Sequence, residues 1–147
     1  MSLQEQLNTA MKEAMRAKDS LRLNAIRLVK TAIKNKEIEA RQAFDDQAVI
    51  GVLSTLVKQR RESAQIYRES NRVDLAEKEE QELAVIQEFL PSQLDEGELK
   101  AIIEAAVLES GAASARDMGK VMKIVSAKTL GRADGRLVSE LVKARLA

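Results

Sequence analysis

A chain of 147 residues with a formal net charge of +1 is long enough for one domain or two small ones, and at this size roughly two-thirds of the unfolded surface is buried, so a core can form without staples. The absence of Cys and His excludes disulfides and thiolate metal sites, and removes the commonest general base and transition-metal ligand. With no Trp, one Tyr and two Phe, base stacking on exposed rings is nearly unavailable as a way of holding nucleic acid.

Gly and Pro are scarce and apolar residues recur at spacings of three and four, which predicts long helices and no strands. The fold class is all-α, with a four-helix N-terminal subdomain followed by a small three-helix C-terminal one. Leu3, Leu7, Ala10, Met11 and Ala14 make a first helix. Asp19 caps a second, with Leu21, Ala25, Leu28, Val29, Ala32 and Ile33 inward. Ile38 falls off that face, which predicts fraying or a bend before Arg41. Asp45 or Asp46 caps a third, which carries Val49, Val52, Leu53, Leu56, Ala64 and Tyr67 inward. The chain turns at Ser70-Asn71-Arg72, and a fourth helix presents Leu75, Leu83, Ile86 and Leu90.

Pro91, the one proline, stands where the fourth pattern stops, and it divides the chain into residues 1–91 and 92–147. Asp95 and Glu98 are placed as an N-cap and its partner three residues on. The fifth helix runs to Ser110 and ends at Gly111. Ser114 is placed as the cap of the sixth. Asp134 caps a seventh that buries Leu137, Val138, Leu141 and Val142. No apolar run approaches the ~20 residues of a membrane span. The first residues, Met1-Ser2-Leu3-Gln4-Glu5-Gln6, lack the basic and apolar regions of a signal peptide, so a cytoplasmic location is expected.

Charge is segregated. Residues 16–41 hold eight basic and three acidic side chains, residues 73–90 one and six, and residues 91–115 one and five. From 116 to 147 there are eight basic and three acidic residues. Internal complementarity between neighbouring blocks is the plain explanation. The sixth helix nonetheless separates its faces. At 100° per residue Met118, Val121, Met122 and Val125 fall on one side, and Arg116, Lys120 and Lys123 on the other. Lys128 and Arg132 follow in the next loop. These five residues form the candidate nucleic-acid surface. A second basic face, Arg27, Lys30, Lys34 and Arg41, runs along the second helix; it is either a solvated face or a continuation of that surface.

Arg60 sits within the apolar stripe of the third helix. In an antiparallel hairpin its level on the fourth helix brings it to Glu79 or Glu82, as a half-buried ion pair that sets register. The other reading is an arginine held ready for an anionic ligand, which needs a cleft at the hairpin. Gly119-Lys120 is not a phosphate loop, since Ser114 stands where a glycine is required and Val121 where a hydroxyl is needed for magnesium. Asp45-Asp46 and Glu79-Glu80 point about 100° apart and build no shared-proton dyad. No catalytic residue, cofactor or metal site is assigned.

Lys58-Gln59-Arg60-Arg61-Glu62-Ser63, Lys78-Glu79-Glu80, Phe89-Leu90-Pro91-Ser92-Gln93-Leu94, Asp117-Met118-Gly119-Lys120-Val121-Met122 and Gly131-Arg132-Ala133-Asp134-Gly135, in this order and spacing, resemble the YqeY family of GatB/YqeY domain proteins over essentially the whole chain. The resemblance implies an N-terminal helical bundle and a C-terminal three-helix unit. It also implies kinship with the C-terminal tail of the B subunit of the glutamine-dependent aspartyl/glutamyl-tRNA amidotransferase, where the tail helps engage tRNA while kinase and amidase chemistry reside elsewhere. Lys123 stands where the family often has glycine, which adds charge. Ala127 stands where it often has proline, which lets the sixth helix run longer and moves Lys128. The expected function is a non-catalytic tRNA-binding module. The alternative is a module that docks onto an amidotransferase or another translation-factor protein. In either case carbon–nitrogen ligation with glutamine as amido donor attaches to the chain by kinship rather than as chemistry it performs by itself.

Overall fold

The computed structural model describes residues 1–147 as seven α-helices and one short 3-10 turn, with no strand. They form two compact units, Met1–Leu90 and Pro91–Ala147.

The first unit holds α1 (Leu3–Ala17), α2 (Ser20–Ala40), α3 (Asp46–Glu69) and α4 (Val73–Gln87). Ser2 and Glu5 form a reciprocal capping box on α1, and Asp19 caps α2 through the Arg22 N–H, so orphan helix-end donors are satisfied locally. Both aspartates before α3 are used. Asp45 accepts from the Ala48 N–H, while the Asp46 carboxylate accepts from the Leu3 N–H at 2.9 Å and ties α3 to the start of α1. The core is built from Leu7, Ile26, Val29, Val49, Leu53 and Ile86. Each such side chain contributes about 1.5–3 kcal/mol through loss of apolar surface from water.

The inward face of α2 differs from the sequence reading. Leu28 is 51% exposed, whereas Ile26 is fully buried; the real stripe is Ala25, Ile26, Val29 and Ile33. Nor does α2 fray. Ile38 is 65% exposed, yet the helix continues to Ala40 and stops at Arg41 in the left-handed conformation (φ 55°). The Glu37 carboxylate accepts from the Phe44 N–H at 2.7 Å and from the Gln4 amide at 3.3 Å. This anchors the last turn to the next loop and to α1, so an apolar residue off the stripe does not undo it. Beyond Val57 and Val85 the two helices of the α3–α4 hairpin bury only Ala64 and Ala76, neither of which joins the core cluster.

The second unit holds α5 (Glu96–Ser110), the 3-10 turn Ala115–Asp117, α6 (Met118–Thr129) and α7 (Gly135–Leu146). Its core is a separate cluster containing Leu99, Ile103, Val107, Val121, Val125, Val138, Val142 and Leu146. Asp95 caps α5 through the Glu98 N–H, Gly111 ends it at φ 69°, and Asp134 caps α7 through the Arg136 N–H. Ser114 does not start α6 directly. The Asp117 carboxylate accepts from the Ala113 and Ser114 N–H groups, and the chain enters α6 through the 3-10 turn. On α7, Leu137 is 40% exposed and Leu146 takes a core place. The segment after Pro91 is clamped to the α6–α7 loop. Leu94 N–H donates to the Arg132 carbonyl at 2.8 Å, the Gln93 amide to the Gly131 carbonyl at 2.8 Å, and Arg132 Nε to the Ser92 carbonyl at 3.1 Å.

Candidate nucleic-acid interface

Val121 and Val125 anchor α6 in the core, and Met118 and Met122 pack half-buried beside them. That packing turns Gly119, Lys120, Lys123, Ser126 and Ala127 to solvent; Arg116, expected on the same helix face, lies instead in the 3-10 turn before α6, where it is also exposed. Lys120 and Lys123 therefore stand outward on α6 among small side chains. Arg116 and Lys123 meet no carboxylate. Lys120 lies 3.8 Å from Asp117 with 70% of its side chain exposed, a contact worth at most about 1 kcal/mol and easily exchanged for another anion. Asp117 is the one acid on this face. The Ala113 and Ser114 N–H groups hold its carboxyl below the usual aspartate range, with Lys120 adding a smaller pull in the same direction.

The structure separates the other two predicted residues from this face. Lys128 turns toward α5 and pairs with Glu109 at 3.6 Å. Arg132 spends its Nε–H on the Ser92 carbonyl and its backbone on Thr129 and Leu94, so it is a strut between segments. The pattern of charge along the chain could not reveal this, because the partner is a backbone carbonyl 40 residues away. On α7, Arg145 pairs with Glu104, and Arg136 lies 3.8 Å from Glu140 in a contact as loose as that of Lys120. Lys143 is exposed and meets no carboxylate, a cation the sequence reading did not single out.

The acidic blocks are largely consumed internally. Within residues 73–90, Glu79 and Glu82 meet Arg60, Glu80 meets Arg68, and Glu88 meets Arg22. Arg22 also lies over the Phe89 ring, 5.9 Å from its centroid. Arg60 donates from Nη1 to Glu79 at 3.1 Å and reaches Glu82 at 2.8 Å, with only 15% of its side chain exposed. One guanidinium facing two carboxylates has no charge left for an incoming anion. Its Nε is buried without an acceptor.

The second basic row is not consumed: Arg27, Lys34 and Arg41 are exposed and Lys30 is half-buried, none of them meets a carboxylate, and Arg41 forms the C-cap of α2 through its backbone alone. No group of three or more acidic side chains converges to hold a metal ion, and no helix is long and apolar enough to cross a membrane.

A family model described as "Yqey-like protein" matches residues 4–146. Among curated proteins, the chain is similar to "Altered inheritance of mitochondria protein 41, mitochondrial" from several fungi. The Pyrenophora tritici-repentis protein is 32% identical over 143 residues, covering 93% of this chain and 77% of that protein. The Vanderwaltozyma polyspora protein is 47% identical over 87 residues, 58% of this chain and 47% of that protein. The Lachancea thermotolerans protein is 38% identical over 102 residues, 69% and 51% respectively. The chain thus spans about half the length of the latter two relatives. All three are named as mitochondrial proteins, which overturns the plain cytoplasmic location expected from the sequence.

Proposed function

We propose that the chain, which belongs to the Yqey-like family, is a non-catalytic RNA-binding module that rests α6 against the phosphate backbone of tRNA. The observation that carries this reading is the outward face of α6. Lys120 and Lys123 stand exposed there, and Arg116 is exposed in the 3-10 turn just before the helix; Arg116 and Lys123 meet no carboxylate, whereas Lys100, Lys128, Arg136 and Arg145 each lie beside one. Small neighbours at Gly119, Ser126 and Ala127 leave room for a bulky polyanion to come close. The kinship with the tail of the amidotransferase B subunit that the sequence motifs imply is the reason for choosing tRNA as the partner in this reading. Phosphate contacts carry the affinity, and shape rather than base sequence is read, because the unit contains no aromatic side chain.

The test is tRNA binding by the purified chain across a salt series. Three phosphate contacts on a duplex-like region give a slope of log K against log salt of about −3. Changing Lys120 and Lys123 together to Gln flattens the slope by up to ~2 and leaves the helical content intact. Absence of binding at low salt, or an unchanged slope in the double variant, defeats the reading. Docking onto a protein partner then takes its place. One observation favours that second reading: Leu108 of α5 is 82% exposed, on one helical face with exposed Ala101 and Ala105.

A further inference from the structure

Helix α2 packs against α1, α3 and α4, and its remaining side lies open to solvent along the whole helix, a length of about 30 Å. On that side Arg27, Lys34 and Ile38 fall within about 40° of one another. Asn24, Thr31 and Asn35 fill the sector between them and Leu28, and all seven residues are exposed. No carboxylate stands in this sector. Glu37 lies outside it, with its Oε2 held by the Phe44 N–H and the Gln4 amide, and Glu39 at its edge pairs with Lys36 at 3.4 Å. Of the α2 cations only Arg22 and Lys36 meet a carboxylate. Arg27, Lys34 and, at the C-cap, Arg41 follow at intervals of seven residues, about 10 Å apart along the axis.

Two aliphatic side chains share the sector. Leu28 is 51% exposed and Ile38 65%. This combination decides between the polyanions that the charge admits. A phosphodiester backbone takes up cations and neutral hydrogen-bonding side chains, but it offers nothing to cover exposed aliphatic ones. A bilayer that contains anionic phospholipid does both. Its headgroup phosphates face the cations, and its acyl boundary lies about 5–10 Å below for Leu28 and Ile38. The long stems of Arg27 and Lys34 keep their charges at headgroup level while the aliphatic neighbours go deeper.

We propose that the open side of α2 is a peripheral membrane contact whose occupant is a bilayer surface rich in anionic phospholipid. The helix lies in the interface plane; it is not long and apolar enough to cross a membrane. The contact belongs to the first unit and does not rest on RNA binding by α6.

The experiment sediments the full chain with vesicles of phosphatidylcholine alone and of an equal mixture of phosphatidylcholine and phosphatidylserine. Binding to the mixed vesicles and none to phosphatidylcholine alone is expected. Each Arg or Lys near an anionic surface contributes about fivefold, so Arg27→Gln, Lys34→Gln together should lower the partition coefficient by about 30-fold. Leu28→Gln, Ile38→Gln should lower it by about tenfold with the charge unchanged. Circular dichroism checks that both double variants keep their helical content. Lys120→Gln, Lys123→Gln controls for generic attraction and should lower the partition far less than the Arg27, Lys34 change. The proposal is overturned by no sedimentation with mixed vesicles, by equal binding to phosphatidylcholine alone, by an unchanged partition in the Leu28, Ile38 variant, or by an equal loss in the Lys120, Lys123 variant. Loss of tRNA binding but not of vesicle binding in the Arg27, Lys34 variant makes this face an RNA surface and overturns it as well. Retention of tRNA binding there keeps the result distinct from the fate of the α6 surface.

Discussion

Replacing Arg60 by Ala removes a guanidinium whose side chain is 15% exposed and leaves Glu79 and Glu82, 23% and 12% exposed, facing each other without a cation. Breaking a buried ionic contact by deleting one partner costs about 3 kcal/mol, because the remaining charge stays desolvated and unpaired. Here two carboxylates are left, and the neighbouring interior is only Ala64 and Ala76, so little apolar packing offsets the loss. Tyr67 is the sole tyrosine and Trp is absent, so intrinsic fluorescence reports on the α3–α4 hairpin, two turns from Arg60. With a urea dependence of about 1.5 kcal/mol/M, the Tyr67 transition should move down by about 2 M. The companion variant Glu79→Gln keeps an acceptor for Nη1 and removes the surplus negative charge, so it should change stability by no more than about 0.5 kcal/mol. A shift below 0.3 M for Arg60→Ala would mean that water reaches the triad freely and that the contact sets no register. A large loss for Glu79→Gln would refute the inference that one carboxylate is in excess.

Asp117 gives a pH prediction. Its folded carboxyl titrates below the unfolded one, chiefly because the Ala113 and Ser114 N–H groups bind the ionised form. The stabilisation is therefore fully present above the unfolded aspartate range and is lost as pH falls through the folded value. Asp117→Asn should remove that part of the acid dependence in the thermal midpoint of the second unit, and identical acid limbs would contradict it. Arg132→Ala should destabilise that unit by about 1 kcal/mol through the loss of its bond to the Ser92 carbonyl and change the salt slope for tRNA less than Lys123→Gln does; the reverse ranking would make Arg132 a phosphate contact. Gly111→Ala places a Cβ at φ 69° with no compensating contact and should cost about 1 kcal/mol in thermal unfolding; no measurable loss would show that the α5 terminus relaxes.

Much of the fold was legible because its determinants are local. A 3.6-residue period puts Leu7, Val29, Leu53, Val121 and Val138 inward whatever they pack against. Asp19, Asp95, Asp134 and Gly111 end helices through atoms within three residues of themselves. The split faces of α6 follow from the same period, and so does the level at which Arg60 meets α4. The exchange of Leu28 for Ile26 in α2 was not legible, because a helix touching several neighbours can rotate by a residue and still satisfy its own pattern. Tertiary packing also decided which cations stay free. A lysine at the rim of α6 and one facing α5 look alike in a charge count, but Lys128 lies within reach of Glu109 and Lys123 of none. The fate of Arg132 rested on a carbonyl far along the chain. Periodicity and caps are properties of a segment, whereas the availability of a charge depends on what the fold brings within about 4 Å of it and on how far that contact is withdrawn from water.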